Sequence, residues 1–154
     1  MTLNVTAVFN LTRAFVPLLE AGSGGNTDPA HVVNISSVAG TSDSAQQWDN
    51  APSYAASKAA VNKVTQLLAG YLVQQAICVN AIAPAVFPSK MTFEYQLRDQ
   101  ATAEIADEMH PVGRVGNETD MAGLALFLSS KASAFVTGSV INLDGGFVGI
   151  RSRL

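Results

Sequence analysis

Apolar residues recur at helical spacing over residues 2–21, at Val5, Val8, Phe9, Phe15, Leu18 and Leu19. This predicts an amphipathic helix, which Pro17 should kink or weaken. "GSGGNTDP" follows, a run of breakers that reads as a loop. The period then changes. "HVVNIS", 31–36, is short and β-branched and reads as a strand, and the polar residues 37–51 read as a loop. Helical spacing returns from Pro52 to about Gln75, with a stripe of Val61, Val64, Leu67, Leu68 and Leu72. Proline suits the first turn of such a helix. "ICVNAIA", 77–83, is a second strand, stopped by Pro84. Residues 90–109 read as one or two helices of mixed polarity, and Pro111 to Gly116 as a turn. A helix over 118–129 has Asn117 as its N-cap. "SVINLD", 139–144, is a third strand closed by Gly145-Gly146. Helices alternating with strands argue for βαβ units and a parallel sheet. The chain shows no internal repeat and no low-complexity segment.

Composition adds a constraint. The 154 residues fit one domain. Hydrophobic residues make up 48% and charged residues 14%, where soluble domains carry about a quarter charged. A sheet buried on both faces, or a sizeable partner surface, accounts for the excess. Net charge is −3 with no basic stripe, which argues against nucleic acid. Cys78 is the single cysteine, so no disulfide forms within the chain. It sits in an apolar run and reads as a buried structural thiol. The two histidines, His31 and His110, do not cluster with other ligands, so no metal is expected. No apolar run reaches membrane-spanning length, and the N-terminus has no secretion pattern. The chain ends Ser152-Arg153-Leu154, which resembles a peroxisomal address. Localisation is therefore expected to be cytoplasmic or peroxisomal.

The candidate chemistry lies in "APSYAASKAAVNKV", 51–64, where Tyr54 and Lys58 stand four positions apart among alanines and serines. Residues so spaced share a helix face. A free phenol ionises near pH 10, and a nearby ammonium favours the phenolate. The pair makes sense as a proton donor and acceptor, although the spacing alone favours an ordinary surface Tyr and Lys. The small neighbours would let a flat ligand, or another helix, come close. Ser36 and Ser37 fall at the carboxyl end of one predicted strand and "NAIAP" at that of another, where open α/β sheets bind ligands.

The ordered segments "NVTAVFNLTRAFVPLL", "VVNISSVAG", "YAASKAAV", "VNAIAPAVFPSKMT", "GRVGNETDMAGLALFLSS" and "VTGSVINLDGG" together resemble the short-chain dehydrogenase/reductase family over essentially the whole chain. The resemblance implies an α/β fold, a truncated Rossmann-like doubly wound parallel sheet of three predicted strands with flanking helices. Residues 1–154 would form the C-terminal catalytic portion of a single such domain, with 90–110 as a substrate lid. It implies an NAD(P)-dependent oxidoreductase that reduces a ketone, 3-oxoacyl or polyketide-like, or oxidises the corresponding alcohol. Tyr54 is the acid–base residue. Lys58 assists it and holds the nicotinamide ribose. Ser37 binds the substrate oxygen, and Asn4 completes a proton relay through water, with Asn10 a weaker candidate. Pro84, Val86 and Ser89 belong to the loop that contacts the nicotinamide. Here the family usually has Pro-Gly, and this chain has Pro84-Ala85; Ser89 stands where threonine is usual. Trp48, Met91 and Phe93, with Tyr95, are candidates to line the substrate pocket.

Nothing in the chain matches the family's T-G-x-x-x-G-x-G cofactor turn or its "NNAG" motif. The chain begins where the family's fourth helix should be, so NADP and NAD are not distinguished, with NADP slightly favoured. Two readings follow: an oxidoreductase, or a catalytically inactive truncated remnant that associates with a full-length relative. Expected partners are a small-molecule carbonyl or alcohol, and either a second copy (a homo-oligomer) or a full-length relative packed through the Tyr54–Lys58 helix. Neither nucleic acid nor membrane is expected.

Overall fold

The second predicted strand is the centre of the sheet. The computed structural model describes residues 2–42, 52–90, 92 and 100–151. Trp48, Met91, Phe93, Tyr95 and Ser152-Arg153-Leu154 lie outside the described residues. Three parallel strands, β1 (Ala30–Ile35), β2 (Ile77–Pro84) and β3 (Val140–Leu143), pair in the order β1-β2-β3. The register places His31 opposite Cys78, Ile35 opposite Ile82 and Pro84 opposite Leu143. β2 is buried from Ile77 to Ala83, as its near-continuous apolar run requires of a strand covered on both faces. Its one strongly polar side chain, Asn80, is satisfied: Nδ2 donates to the Val136 carbonyl at 2.8 Å and Oδ1 accepts from the Ser139 N–H at 3.0 Å. Cys78 is buried as expected, and that burial pushes its thiol pKa up, away from the reactive thiolate.

One face of the sheet carries α1 (Ala7–Gly22) and α2 (Pro52–Leu72). Leu68, Ala69 and Leu72 pack there on Ile77 and Val79, joined by Val16, Leu19, Ala30, Val32 and Val64. The other face meets α4 (Glu118–Leu128), which follows α3 (Gln100–Glu108) and ends at the fully buried Leu128. Asn117 caps α4 as the sequence predicts, in a reciprocal capping box with Asp120. The Arg114 guanidinium grips Asp120 at 2.7 and 3.0 Å, and with the Asn117 N–H it holds the Asp120 carboxyl down to about 2.

Three elements differ from the pattern-based expectation. The first helix opens with a π-helical turn over Thr2–Thr6, and α1 then runs on through Pro17 to Gly22. Its apolar stripe is only partly covered: Phe15 and Leu18 are 48% and 68% exposed, and the one buried α1 residue is Thr12. Leu67, assigned to the α2 stripe, is also outside the core at 62% exposure. A groove of about 640 Å³ lies between the two helices, lined by Phe9, Val16, Leu67 and Tyr71 among others. Finally, Gly145 and Gly146 take positive φ, which glycine alone tolerates easily, and turn the chain into the short α5 (Phe147–Arg151). The Asp144 carboxylate caps that helix by accepting from the Gly146 and Val148 N–H groups. Five residues are too few to show a helical period.

Candidate active site at the carboxyl edge of the sheet

Parallel strands deliver their carboxyl ends to one edge. β1 ends there at Ile35, followed by Ser36, Ser37 and a 3-10 turn over Val38–Gly40. That turn lies directly on α2. A Cβ built on Gly40 would come within 2.5 Å of the Lys58 carbonyl carbon and 2.6 Å of the Ala59 nitrogen. The small residues around Tyr54 and Lys58 therefore have a partner within the chain: Gly40 and the helix backbone approach each other at a point where neither could carry bulk. Asn62, buried one turn further on, donates to the Gly40 carbonyl at 2.9 Å and holds the turn down.

The strand end and the helix are also tied by the lysine itself. Lys58 Nζ donates to the Ile35 carbonyl at 3.0 Å, and the buried Ser36 hydroxyl donates to the Lys58 carbonyl at 3.2 Å. The ammonium stands 5.7 Å from the centre of the Tyr54 ring, close enough for a cation–π contact. Partial burial lowers the Lys58 pKa from its ordinary value. Ser37 is half-buried, and its hydroxyl accepts from the Ala39 N–H at 3.2 Å, capping the 3-10 turn. Asn4 belongs to the π-helical turn. Its Nδ2 donates to Ser57 Oγ at 3.0 Å, and Ser57 in turn donates to the Tyr54 carbonyl at 2.7 Å. Asn4, Ser36, Ser57, Tyr54, Lys58 and Ile35 thus form one connected hydrogen-bonded unit. Asn10, the weaker candidate, is exposed on α1.

The neighbouring edge position belongs to the loop after β2. Pro84 is the last strand residue, the Ala85 N–H donates to the Leu143 carbonyl at 3.1 Å, and Val86 is buried with its carbonyl bonded to the Gly116 N–H at 3.0 Å. Among the described non-glycine residues only Ala76 has a positive φ, so Ala85 fills the usual glycine position without left-handed backbone. Phe87 lies flat on Gly116, where a Cβ would sit 2.2 Å from its ring. Ser89 is exposed, and Thr92 organises the loop around it: Thr92 Oγ1 donates to the Phe87 carbonyl at 2.6 Å and lies 3.0 Å from Ser89 Oγ. A cavity of about 220 Å³ opens beside this loop, between Val86, Phe87, His110 and Leu143. Gly40, Ser57, Gly116 and Thr92 escaped attention as site residues in the sequence. They act through contacts across 3 to 53 residues of chain that depend on the fold.

An ammonium has three donors. Lys58 commits one to Ile35, leaving two for a pair of vicinal hydroxyls, and the exposed Ser89 hydroxyl can meet an amide. These donors fit the nicotinamide–ribose half of a dinucleotide. The glycine-rich stretch Gly22–Gly25 does not fit the phosphates. It joins α1 to the amino end of β1, the opposite edge of the sheet, where the Gly24 N–H donates to the Asp28 carbonyl. Among the described residues no group of three or more His, Cys, Asp or Glu could hold a metal, and no helix is long and apolar enough to cross a membrane.

Known proteins match this chain over nearly its whole length. A family model described as Enoyl-(Acyl carrier protein) reductase matches residues 1–148. The rhamnolipids biosynthesis 3-oxoacyl-[acyl-carrier-protein] reductase of Pseudomonas aeruginosa is 43% identical over 147 residues, covering 96% of this chain and 56% of that protein. The galactitol 2-dehydrogenase (L-tagatose-forming) of Cereibacter sphaeroides is 36% identical, covering 96% and 55%. Among solved structures, the Pseudomonas aeruginosa RhlG/NADP active-site complex superposes with a TM-score of 0.84 at 42% identity, over 94% of this chain and 56% of that one. The chain therefore spans little more than half the length of the relatives it matches. With the matched segment, the parallel sheet and the Tyr–Lys helix all in agreement, the chain belongs to the short-chain dehydrogenase/reductase family.

Proposed function

We propose that this chain carries the acid–base half of an NAD(P)-dependent oxidoreductase acting on a ketone of the 3-oxoacyl class or on the corresponding alcohol. The observation that supports it most is the hydrogen-bonded unit joining Asn4, Tyr54 and Lys58 at the carboxyl edge of the sheet, beside Ser37. In this reading the Tyr54 phenol gives its proton to the carbonyl oxygen during reduction and takes it back during oxidation. Lys58, a cation close to the ring, presents its remaining donors to the ribose. Ser37 donates to the substrate oxygen, and Asn4 passes a proton through water. A bound nicotinamide supplies the hydride. Pro84 and Val86 shape the wall beside it, and Ser89 holds its carboxamide. NADP is favoured, because the similar RhlG structure is an NADP complex. Trp48, Met91, Phe93 and the remainder of the 90–110 segment complete the substrate side.

A second reading has its own support. Leu11, Phe15 and Leu18 of α1 and Leu67 and Tyr71 of α2 are 48–77% exposed, and among the described residues β1 pairs on one side only. Such surfaces suit a chain that associates with a longer relative rather than turning over alone.

One experiment separates the two. NADPH oxidation is followed with a 3-oxoacyl thioester, using the chain alone and the chain mixed with a longer relative inactivated at its own tyrosine. Turnover that falls by about 10³-fold or more in Tyr54→Phe supports the oxidoreductase reading. Turnover that survives the substitution overturns the assignment of the proton donor. No turnover in either mixture, with co-purification of the relative, supports the remnant.

A further inference from the structure

Ser57 has no role in the acid–base reading, yet it stands where that reading needs a connection. It is 2% exposed, on the inner side of α2, one residue before Lys58. A hydroxyl has one proton and two lone pairs. The Ser57 proton goes to the Tyr54 carbonyl at 2.7 Å, so the oxygen can only accept from Asn4, and the Nδ2 group of Asn4 meets it at 3.0 Å. This fixes which end of the Asn4 amide faces the helix: the NH₂ points to Ser57 and Oδ1 is held away from it. In an α-helix the Tyr54 carbonyl is also the acceptor for the N–H four residues on, that of Lys58. One oxygen thus gathers Tyr54, Ser57 and Lys58, while Asn4 enters through the serine.

The other end of the link is unusual too. Asn4 lies in a π-helical turn, a feature that widens the helix locally and is commonly found at functional sites. A widened turn sets its side chains less firmly than regular helix does, so an external anchor has more to fix there. Ser57 itself is buried at this contact, where a hydroxyl left without partners costs more than the bond itself contributes.

Building on the oxidoreductase reading, we propose that Ser57 is a positioning residue, whose hydroxyl couples Asn4 to the first turn of α2 and so sets the Tyr54 phenol against the Lys58 ammonium. A serine that merely filled space would be replaceable by alanine without consequence for Asn4 or Tyr54.

The test uses the isotopically labelled full chain with Ser57→Ala and Ser57→Thr. Side-chain amide resonances of Asn4 and ring resonances of Tyr54 are the reporters. The Asn34 amide, which donates to Thr65 Oγ1 further along the same helix at 2.9 Å, is the internal control. In Ser57→Ala the Asn4 amide and the Tyr54 ring are expected to shift together while Asn34 stays in place, and Ser57→Thr is expected to restore both. In the catalytic assay Ser57→Ala should lower kcat by about 3- to 10-fold, the size of one hydrogen bond, with KM changed less than about 2-fold. Unmoved Asn4 and Tyr54 signals, an equal shift at Asn34, or a loss carried by KM alone would each overturn the proposal. If Ser57→Ala does not fold, Ser57→Cys, with its weaker donor, should give a shift in the same direction at Asn4 and Tyr54. Absence of turnover in every form, wild type included, counts against the oxidoreductase reading of the isolated chain, and the resonances still decide the role of Ser57.

Discussion

Between Ser57 and Asn62, α2 buries two polar side chains beside Val61, Ser57 against Asn4 and Asn62 against a turn of backbone; between Leu68 and Leu72 it buries apolar ones against the sheet. The first half is held by directed bonds: Asn4 to Ser57, Ser36 to the Lys58 carbonyl, Asn62 to the Gly40 carbonyl. The second half is held by area, with Leu68 and Leu72 on Ile77 and Val79. Directed bonds fix distances and angles, which proton transfer needs. Area tolerates sliding, and the same half of the helix leaves Leu67 and Tyr71 in solvent at 62% and 77% exposure. One helix thus divides its labour, with precision at the end nearer the sheet's carboxyl edge and adhesion at the other.

The largest expected effect tests adhesion. Leu72→Ala should cost about 2–5 kcal/mol in urea unfolding, because it opens a cavity in the core, whereas Leu67→Ala should stay within about 0.5 kcal/mol. Comparable costs at the two sites would show that Leu67 is packed after all. Next comes Gly40→Ala. Its Cβ meets backbone at Lys58 and Ala59, not a flexible side-chain tip, so the turn must lift off α2, at about 1–3 kcal/mol. Activity should fall further than stability, since Lys58 and Ser37 are both tied to that turn. A Gly40→Ala protein of unchanged midpoint would mean the turn is not clamped.

The smallest effect carries a sign. Burial depresses the Lys58 pKa in the folded chain. A cation so depressed costs the folded state stability at any pH below its folded pKa, where both states are protonated. That cost fades as pH rises towards the unfolded value of 10.5. Lys58→Met should therefore raise the urea midpoint slightly at pH 7, with the gain shrinking as pH rises towards 10.5, while abolishing activity. A lower midpoint at pH 7 would show that the bond to Ile35 outweighs the desolvation. A raised midpoint would mark the precise half of α2 as a place where function and stability are set against each other.

Much of this was legible along the chain. The alternation of periods located all three strands to within about one residue at either end, and Asn117 announced the start of α4. Tyr54 and Lys58 could be singled out as candidates because a four-residue spacing on a helix is a local fact, and Ser36 and Ser37 because they fall at a strand's carboxyl end; the choice of Ser37 came with the family resemblance. The resemblance to a family, carried by ordered motifs, placed Asn4 and the Pro84–Ser89 loop. The α1 stripe was read correctly as a period but not as a core. Periodicity says which residues share a face, and it does not say whether anything covers that face; Phe15 and Leu18 show the difference.

By itself, then, the sequence determined the helices, the strands and the two side chains that share a helix face, because these depend on neighbours within about four residues. Only the tertiary structure decided that Gly40 lies on the Lys58 backbone, that Ser36 and Ile35 tie the strand end to the lysine, and that Ser57 links Asn4 to Tyr54. Those contacts join residues 18 to 53 positions apart, or turn on which way a hydroxyl proton points. No local preference encodes either one. Both are fixed when the parallel strands bring their ends to a common edge and the polar groups buried there find partners across the chain.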